Sequence, residues 1–305
     1  MVLMKPNKSS AFTLAEKCKN ILASNWQGIL NTIKTDSKGS KPEFYSSRVK
    51  YLLNKGKPYI WIPEKDLHNV NTIIDDRASF AVPTPYPGPL ANLLRSMNKL
   101  PERVAMTGEI VHVADKKIES ATEKVREMVF SEQKQIAESS YAVSGILSSA
   151  TFGSTSRSEN LVELLDNDDK YVVYKFNASS CMFVDGNGGN CEVYLEEFRK
   201  SKADKLSPFA AKLVDGINQS EIRRRALVVL SFAFLNVDSK DAYVLSVDRK
   251  GLNMLARVVR SGEYQWKELR LTFDEDAENV ESFCSKLVQM EEAALDKLKS
   301  CSGLG

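Results

Sequence analysis

The stretch "IPEKDLHNVNTIIDDRASFAV" (residues 62–82) decides the fold of this chain. Its pattern predicts the end of a strand, a short helix reaching roughly to Asp75, and the start of another strand. His68, one of only two histidines, and Asn71 lie near the start of that helix. Polar side chains there either cap free amides or line a ligand site. His68 is thus either a structural residue, packed on the third strand or capping, or a cleft residue beside a bound ligand.

The sequence on either side of this stretch has strand character. Alternating or β-branched runs, separated by the turn sequences "TDSKGSKP" and "NKGKP", occupy residues 29–33, 44–53, 59–63, 77–82 and 103–113. Short turns and one crossing helix indicate an antiparallel barrel instead of a βαβ sheet. Residues 170–176 and 180–190 are expected to close the barrel as two strands around a turn. Helices are predicted at 14–23 and 117–139, and a Ser/Thr/Gly-rich linker at 148–160.

A second unit begins near Ser207, which precedes Pro208 at a predicted helix start. A hairpin (243–259), a strand (267–273) and a closing helix (about 277–298) follow. We therefore predict an α+β protein, with a barrel in residues 1–206 and a small α+β domain in residues 207–305.

Composition excludes several classes of protein. The 305 residues carry a net charge of only +2, which argues against bulk nucleic-acid binding. No stretch approaches the roughly 18–20 apolar residues of a membrane span. The five cysteines are scattered and lack metal-site spacing, so we expect free thiols in a reducing compartment and no metal. Residues 1–12 do not form a secretory signal, which implies a cytoplasmic chain or one whose longer presequence has been removed.

The order of the motifs resembles a known family. "GILNTI", "EFYSSRVKYLLN", "KGKPYIWIPEKDLHNVNTIIDDRASFAV" and "PERVAMTGEI" are similar to the FMN-binding split barrels typified by pyridoxamine 5′-phosphate oxidases. The C-terminal "FAAKLVDGINQSEIRRRALVVLSFAF" and "AYVLSVDRKGLNMLARV" resemble the small domain of the HugZ-like branch, which includes haem-degrading bacterial proteins and plastid relatives. The resemblance covers roughly residues 12–295. It implies an FMN or haem cofactor, a homodimer of split barrels and, in the plastid branch, a chloroplast location.

The chain departs from the family pattern where the cofactor binds. The family holds the FMN phosphate with a His-Thr-Arg/Lys-Asn segment, which here reads His68, Asn69, Val70 and Asn71. Valine provides no charge-assisted contact to a phosphate. Arg48, Lys50 or Arg77 would have to replace the missing cation. The cofactor-binding candidates are therefore Arg48, Lys50, His68, Asn69, Asn71 and Arg77.

The haem-binding pattern also differs. The small-domain Asn-x-Asp-His signature reads Asn218, Gln219, Ser220 and Glu221, and no histidine follows His112. A C-terminal imidazole therefore cannot ligate haem. His112 is interpreted as structural. The Arg223–Arg225 run is interpreted as an exposed helix face or as a site for an acidic partner or RNA.

Three functions stay open at this point. No nucleophile–base pair or paired carboxylates are visible, so catalytic residues are unknown and enzymatic activity is undecided. The preferred hypothesis is a non-enzymatic split barrel with a degenerate flavin site that binds a partner protein or a tetrapyrrole, in plastid tetrapyrrole metabolism. The alternatives are an FMN-dependent oxidoreductase and a haem-binding or haem-degrading protein.

Overall fold

A computed structural model describes residues 12–35, 42–137, 145–146, 157–166, 171–260 and 262–302. The strands of the barrel region are β1 (Gln27–Ile33), β2 (Phe44–Asn54), β3 (Lys57–Pro63), β4 (Arg77–Pro83), β5 (Arg103–His112), β6 (Tyr171–Val184) and β7 (Asn190–Glu192). Its helices are α1 (Leu14–Ser24), α2 (Leu67–Ile74), α3 (Gly88–Ser96), α4 (Asp115–Ala137), α5 (Arg157–Asp166) and α6 (Leu195–Lys200).

The first six strands form a closed antiparallel barrel. Their order is β3-β2-β1-β4-β5-β6, and the pairing of β3 with β6 completes the ring. Alternate residues point inward, as in β1, where Gly28, Leu30 and Thr32 are buried. Closure leaves no unpaired edge among these six strands, and it buries a core that includes Leu30, Tyr51, Ile60, Phe80, Met106 and Phe176.

Helices cover part of the outer surface of the barrel. On β2 and β3 the outward-facing Leu52 and Trp61 pack with Val125 of α4 and Leu161 of α5. This second apolar core explains why Leu52 and Trp61 are buried although they face away from the barrel interior. It also places α5 beside the outward-facing side chains of β2.

The small unit contains a separate sheet, ordered β10-β9-β8. A short 3-10 helix (Ser207–Phe209), α7 (Ala210–Gln219), α8 (Glu221–Leu235), β8 (Ser239–Asp248), β9 (Gly251–Arg260), β10 (Glu263–Thr272) and α9 (Val280–Ser302) follow in order. Its core also takes in Leu90 and Leu94 of α3. The predicted α+β class, a split barrel followed by a small domain, is confirmed, and the boundary at 206/207 stays a prediction.

Several sequence-based expectations were wrong in detail. The linker predicted at 148–160 overlaps α5, because residues 157–160 are helical; residues 148–156 lie outside the described residues. The two strands expected at 170–176 and 180–190 are one continuous strand, β6, which pairs with both β3 and β5. A register shift opposite Thr107 and Gly108 lets this strand follow the curved wall of the barrel.

Among the described helices, none is both long enough and apolar enough to cross a membrane.

Candidate functional site

The start of α2 is capped by Asp66. The Asp66 carboxylate accepts a hydrogen bond from the backbone amide of His68 at 2.9 Å, and Asp66 itself has the extended backbone of an N-cap. The predicted short helix reaching roughly to Asp75 is therefore confirmed. The expectation that His68 itself caps the helix is wrong, because the carboxylate two residues earlier does so. The Asp66 carboxylate also places a negative charge at this helix start, which disfavours an anion there.

His68 lies buried inside the end of the barrel, with none of its surface exposed. Its Nδ1 lies 2.8 Å from Thr32 Oγ1 of β1, and its Nε2 lies 3.0 Å from Ser47 Oγ of β2. The ring of Tyr45 packs on the imidazole at 4.6 Å between centroids. These contacts favour the structural interpretation of His68, and its partners lie on β1 and β2 instead of the expected third strand.

The hydrogen bonds around Thr32 favour one tautomer of His68. Asn71 Nδ2 donates to Thr32 Oγ1 at 3.0 Å, so the Thr32 hydroxyl is free to donate its proton to His68 Nδ1. Nε2–H then donates to Ser47 Oγ, so both ring nitrogens of His68 are hydrogen-bonded within the barrel. Burial lowers the pKa of His68, while the nearby Asp66 carboxylate opposes the shift. The imidazole is therefore neutral near pH 7.

The two asparagines of the segment are also engaged within the protein. Asn71 is buried, and its Oδ1 accepts from the Thr35 amide at 3.3 Å. Asn69 Nδ2 donates to the carbonyls of Pro63 and Glu64, and its Oδ1 accepts from the Tyr174 hydroxyl at 3.1 Å. Both amides serve to fix α2 on the barrel.

The three cations proposed to replace the missing phosphate ligand do not converge. Arg48 and Lys50 face outward from β2, where Lys50 Nζ forms an ion pair with Glu163 of α5 at 2.7 Å. Arg77 is exposed and pairs with Asp75 at 2.6 Å, and this bond lowers the pKa of Asp75. Two of the three charges are thus already paired within the chain. The loss of an FMN phosphate site at this segment stays a prediction.

The outward face of α2 is apolar. Because His68 and Asn71 point inward, the opposite side of the helix carries aliphatic side chains. More than half of the surface of each of these residues is exposed: 54% for Leu67, 53% for Val70, 80% for Ile73 and 72% for Ile74. This polarity is the reverse of an ordinary surface helix, whose apolar side faces the core. We refer to these four residues as the α2 surface.

A groove of about 340 Å³ opens on the outer face of the barrel. Its lining combines a guanidinium, hydroxyl groups, a side-chain amide and an exposed aromatic ring. These groups belong to Arg77, to Ser79, Thr107 and Ser179, to Asn31, and to Phe44. Its volume falls within the roughly 300–1,000 Å³ range of small-molecule sites. Arg77 is the one candidate residue that lines it.

The remaining charged and titratable candidates lie elsewhere. His112 is exposed at the end of β5, with its ring edge-on to Tyr174 at 5.6 Å. In the arginine run, Arg224 pairs with Asp241 and hydrogen-bonds Tyr243, while Arg225 pairs with Glu221. Two of these arginines are engaged within the small domain, which favours the interpretation as an ordinary helix face.

Comparison with known proteins identifies the fold. No protein-family profile and no curated protein matches the chain. A solved heme-binding protein from Mycobacterium smegmatis matches with a TM-score of 0.56 and 19% identity, over 94% of this chain and 99% of that one. A protein of unknown function from Agrobacterium tumefaciens covers 94% and 98% of the two chains, at 16% identity and a TM-score of 0.41.

A further match is a putative pyridoxamine 5′-phosphate oxidase from Listeria innocua. It covers 56% of this chain and 98% of its own, with 12% identity and a TM-score of 0.33. Of these three structures, the heme-binding protein has a TM-score above 0.5, and its likeness shows the fold alone. The narrower placement in the HugZ-like plant or plastid branch stays a prediction.

Sequence reasoning missed two features of this region. Thr32 and Ser47, the partners of His68, lie 36 and 21 positions away in the chain. No local pattern connects them with α2. The α2 surface was also missed, although a helical projection of "LHNVNTII" separates its polar and aliphatic sides.

Proposed function

We propose that this chain is a non-enzymatic binding protein on a split-barrel scaffold, whose degenerate flavin segment now contacts a partner protein or a tetrapyrrole. The observation that carries this proposal is the reversed polarity of α2. The polar groups expected at a phosphate site are used inside the barrel, and aliphatic side chains occupy the exposed side. An exposed apolar patch of this kind marks an interaction surface in many proteins.

A protein partner fits the α2 surface. Its four side chains lie on one side of a two-turn helix, and the buried His68 and Asn71 fix the orientation of that helix. A fixed apolar anchor without converging charges suits the core of a protein interface. The resemblance to plastid relatives, which bind a partner protein in place of catalysing a reaction, supports the same function in tetrapyrrole metabolism.

A tetrapyrrole is the second candidate, favoured by the groove. Arg77 would neutralise a propionate there in exchange for its exposed ion pair with Asp75, while Phe44 offers an apolar wall. His68 is unavailable to iron because both ring nitrogens are hydrogen-bonded inside the barrel. His112, the other histidine of the chain, is exposed. The full-length likeness to a heme-binding protein supports testing this ligand.

An absorption spectrum of the purified protein separates these functions. We expect no flavin bands as purified and no saturable change on adding FMN. Bands at near-stoichiometric occupancy would refute the degenerate site and revive an FMN-dependent oxidoreductase. A saturable Soret shift on adding haemin would select the tetrapyrrole. Its loss in His112→Ala, with His112→Tyr as the ligating control, would identify the iron ligand.

If neither cofactor binds, the α2 surface is tested directly. The binding of a fluorescent apolar dye should fall in Ile73→Asp, because that side chain is the most exposed of the four. Leu295→Asp on α9 is the matched control, because it likewise replaces an exposed aliphatic side chain with a carboxylate. Equal dye binding in both variants would count against an interaction surface on α2.

A further inference from the structure

The exposed side of α2 has the residue spacing of a helix–helix contact. Leu67, Val70 and Ile74 lie at positions i, i+3 and i+7, and Ile73 lies beside them on the same side of the helix. Side chains at this spacing form a stripe along the helix axis, and such a stripe packs against a second helix. Since α2 has eight residues, the stripe is about 12 Å long and accepts about two turns of that second helix.

The inner side of α2 holds this stripe in a fixed position. Asn69 Oδ1 accepts a hydrogen bond from the hydroxyl of Tyr174 on β6 at 3.1 Å. His68 and Asn71 both bond the hydroxyl of Thr32 on β1. Because these contacts already order α2 on the barrel, a partner that binds the stripe loses little free energy to ordering it.

The exposed charges at the two ends of α2 are mostly negative. Glu64 and Lys65 precede the helix, Asp76 follows it, and all three are exposed. Glu109 of β5 is also exposed, and it lies opposite Arg77 in the pairing of β4 with β5. We refer to Glu64, Asp76 and Glu109 as the acidic rim. The rim contributes three negative charges, which Lys65 offsets by one.

Two further basic side chains of this region are neutralised within the chain. Arg77 pairs with Asp75 at 2.6 Å, and Lys34, directly after β1, pairs with Glu43 at 3.2 Å. An apolar stripe bordered by carboxylates is complementary to a partner that carries basic residues beside its own apolar stripe. The same carboxylates disfavour the negative surface of an anionic membrane.

We propose that the α2 surface binds a basic amphipathic helix of a partner protein. The aliphatic stripe of that helix packs on Leu67, Val70 and Ile74, and its lysine or arginine side chains pair with the acidic rim. This inference rests on the proposed function of a protein-binding scaffold, and it adds the chemical class of the partner.

The probes are two synthetic amphipathic peptides with the same leucine stripe at i, i+3 and i+7. One carries lysine on its polar side, and the other carries glutamate. Fluorescence anisotropy of each labelled peptide, titrated with the full chain at low salt, measures the two affinities. We expect the lysine peptide to bind about tenfold more tightly than the glutamate peptide, because three exposed charge pairs change from attractive to repulsive.

Two variants separate the contribution of the stripe from that of the rim. Ile73→Ser should weaken the lysine peptide by about tenfold, and Leu295→Ser on α9, which also replaces an exposed aliphatic side chain, should leave it unchanged. Glu64→Lys combined with Asp76→Lys should weaken the lysine peptide by about tenfold and strengthen the glutamate peptide. Glu278→Lys, an exposed position of the small domain, is the control for charge.

Equal affinities of the two peptides, or tighter binding of the glutamate peptide, would overturn the inference. So would lysine-peptide binding that Ile73→Ser leaves unchanged. Binding to phosphatidylserine vesicles without binding of the lysine peptide would make the occupant a membrane. A dimer that Ile73→Ser converts to a monomer would make the occupant a second copy of this chain.

Failure of this inference is distinguishable from failure of the proposed function. If neither peptide binds while the apolar dye still binds less to Ile73→Asp than to Leu295→Asp, the α2 surface remains an interaction surface and the basic helix is wrong. If the dye binds equally to both variants, the proposed function itself is contradicted.

Discussion

Replacing Thr32 with valine should destabilise the barrel more than its small change in shape suggests. Valine keeps the volume and β-branching of threonine but removes the hydroxyl that joins His68 to Asn71. Two hydrogen bonds are lost, each with a net value of about 1 kcal/mol. The Asn71 amide then keeps a buried donor without its partner, which adds a further penalty of about 1–3 kcal/mol. We expect Thr32→Val to lower the free energy of unfolding by about 3–5 kcal/mol.

Urea denaturation, followed by the fluorescence of Trp26 and Trp61 in the barrel, measures this loss. Thr272→Val is the matched control, because Thr272 is exposed at the end of β10 in the small domain. The control should change stability by less than about 0.5 kcal/mol. If Thr32→Val is no more destabilising than the control, the buried network does not hold α2 in place, and our explanation of the α2 surface fails.

Three further predictions concern the same segment. The pKa of His68 is lower in the folded protein than in the unfolded chain, so the unfolded chain binds more protons as the pH falls below about 6.5. The free energy of unfolding should therefore drop by up to about 1.4 kcal/mol per pH unit. Urea midpoints measured from about pH 7.5 to 5.5 should show this pH dependence in the unsubstituted chain and lose it in His68→Phe. Val70→Arg should strengthen FMN binding by about 1.5–3 kcal/mol in a fluorescence titration. The gain should be larger when Val70→Arg is combined with Asp66→Ser, because serine removes the repulsive carboxylate and still caps the helix. Equal FMN affinities of the variant and the unsubstituted chain would mean that the phosphate site is misplaced. Light scattering should give the mass of a dimer, twice 34.1 kDa. Ile73→Asp should weaken this dimer if the α2 surface is the interface. A monomer mass at micromolar concentration would contradict the dimer.

Local pattern was sufficient to predict the barrel. The alternation in residues 29–33 and 59–63 requires strands with one buried face, and the turn residues between them force antiparallel neighbours. The helix between β3 and β4 also follows from local chemistry, since Asp66 is a favoured N-cap and the apolar spacing continues to Ile74. The continuous strand β6 did not follow, because its length is set by pairing with β3 and β5 at different positions along the chain.

The candidate site was predicted only in part. The loss of a cation at Val70 is visible in the sequence, and the structure adds that Lys50 is paired with Glu163. Glu163 lies 113 residues away from Lys50, on a helix that was not predicted from the sequence. Charges that neutralise one another across such a separation cannot be identified from spacing along the chain.

The sequence by itself determined the strands, the short helix and the absence of a basic residue at position 70. Only the tertiary structure decided which side of that helix faces inward. Isolated helix physics would bury Leu67, Val70 and Ile73 and expose His68. The end of the barrel instead offers the hydroxyls of Thr32 and Ser47, which come together because β1 and β2 pair side by side. The imidazole makes a hydrogen bond to each of these hydroxyls inside the barrel, and the aliphatic side chains of α2 lie at the surface.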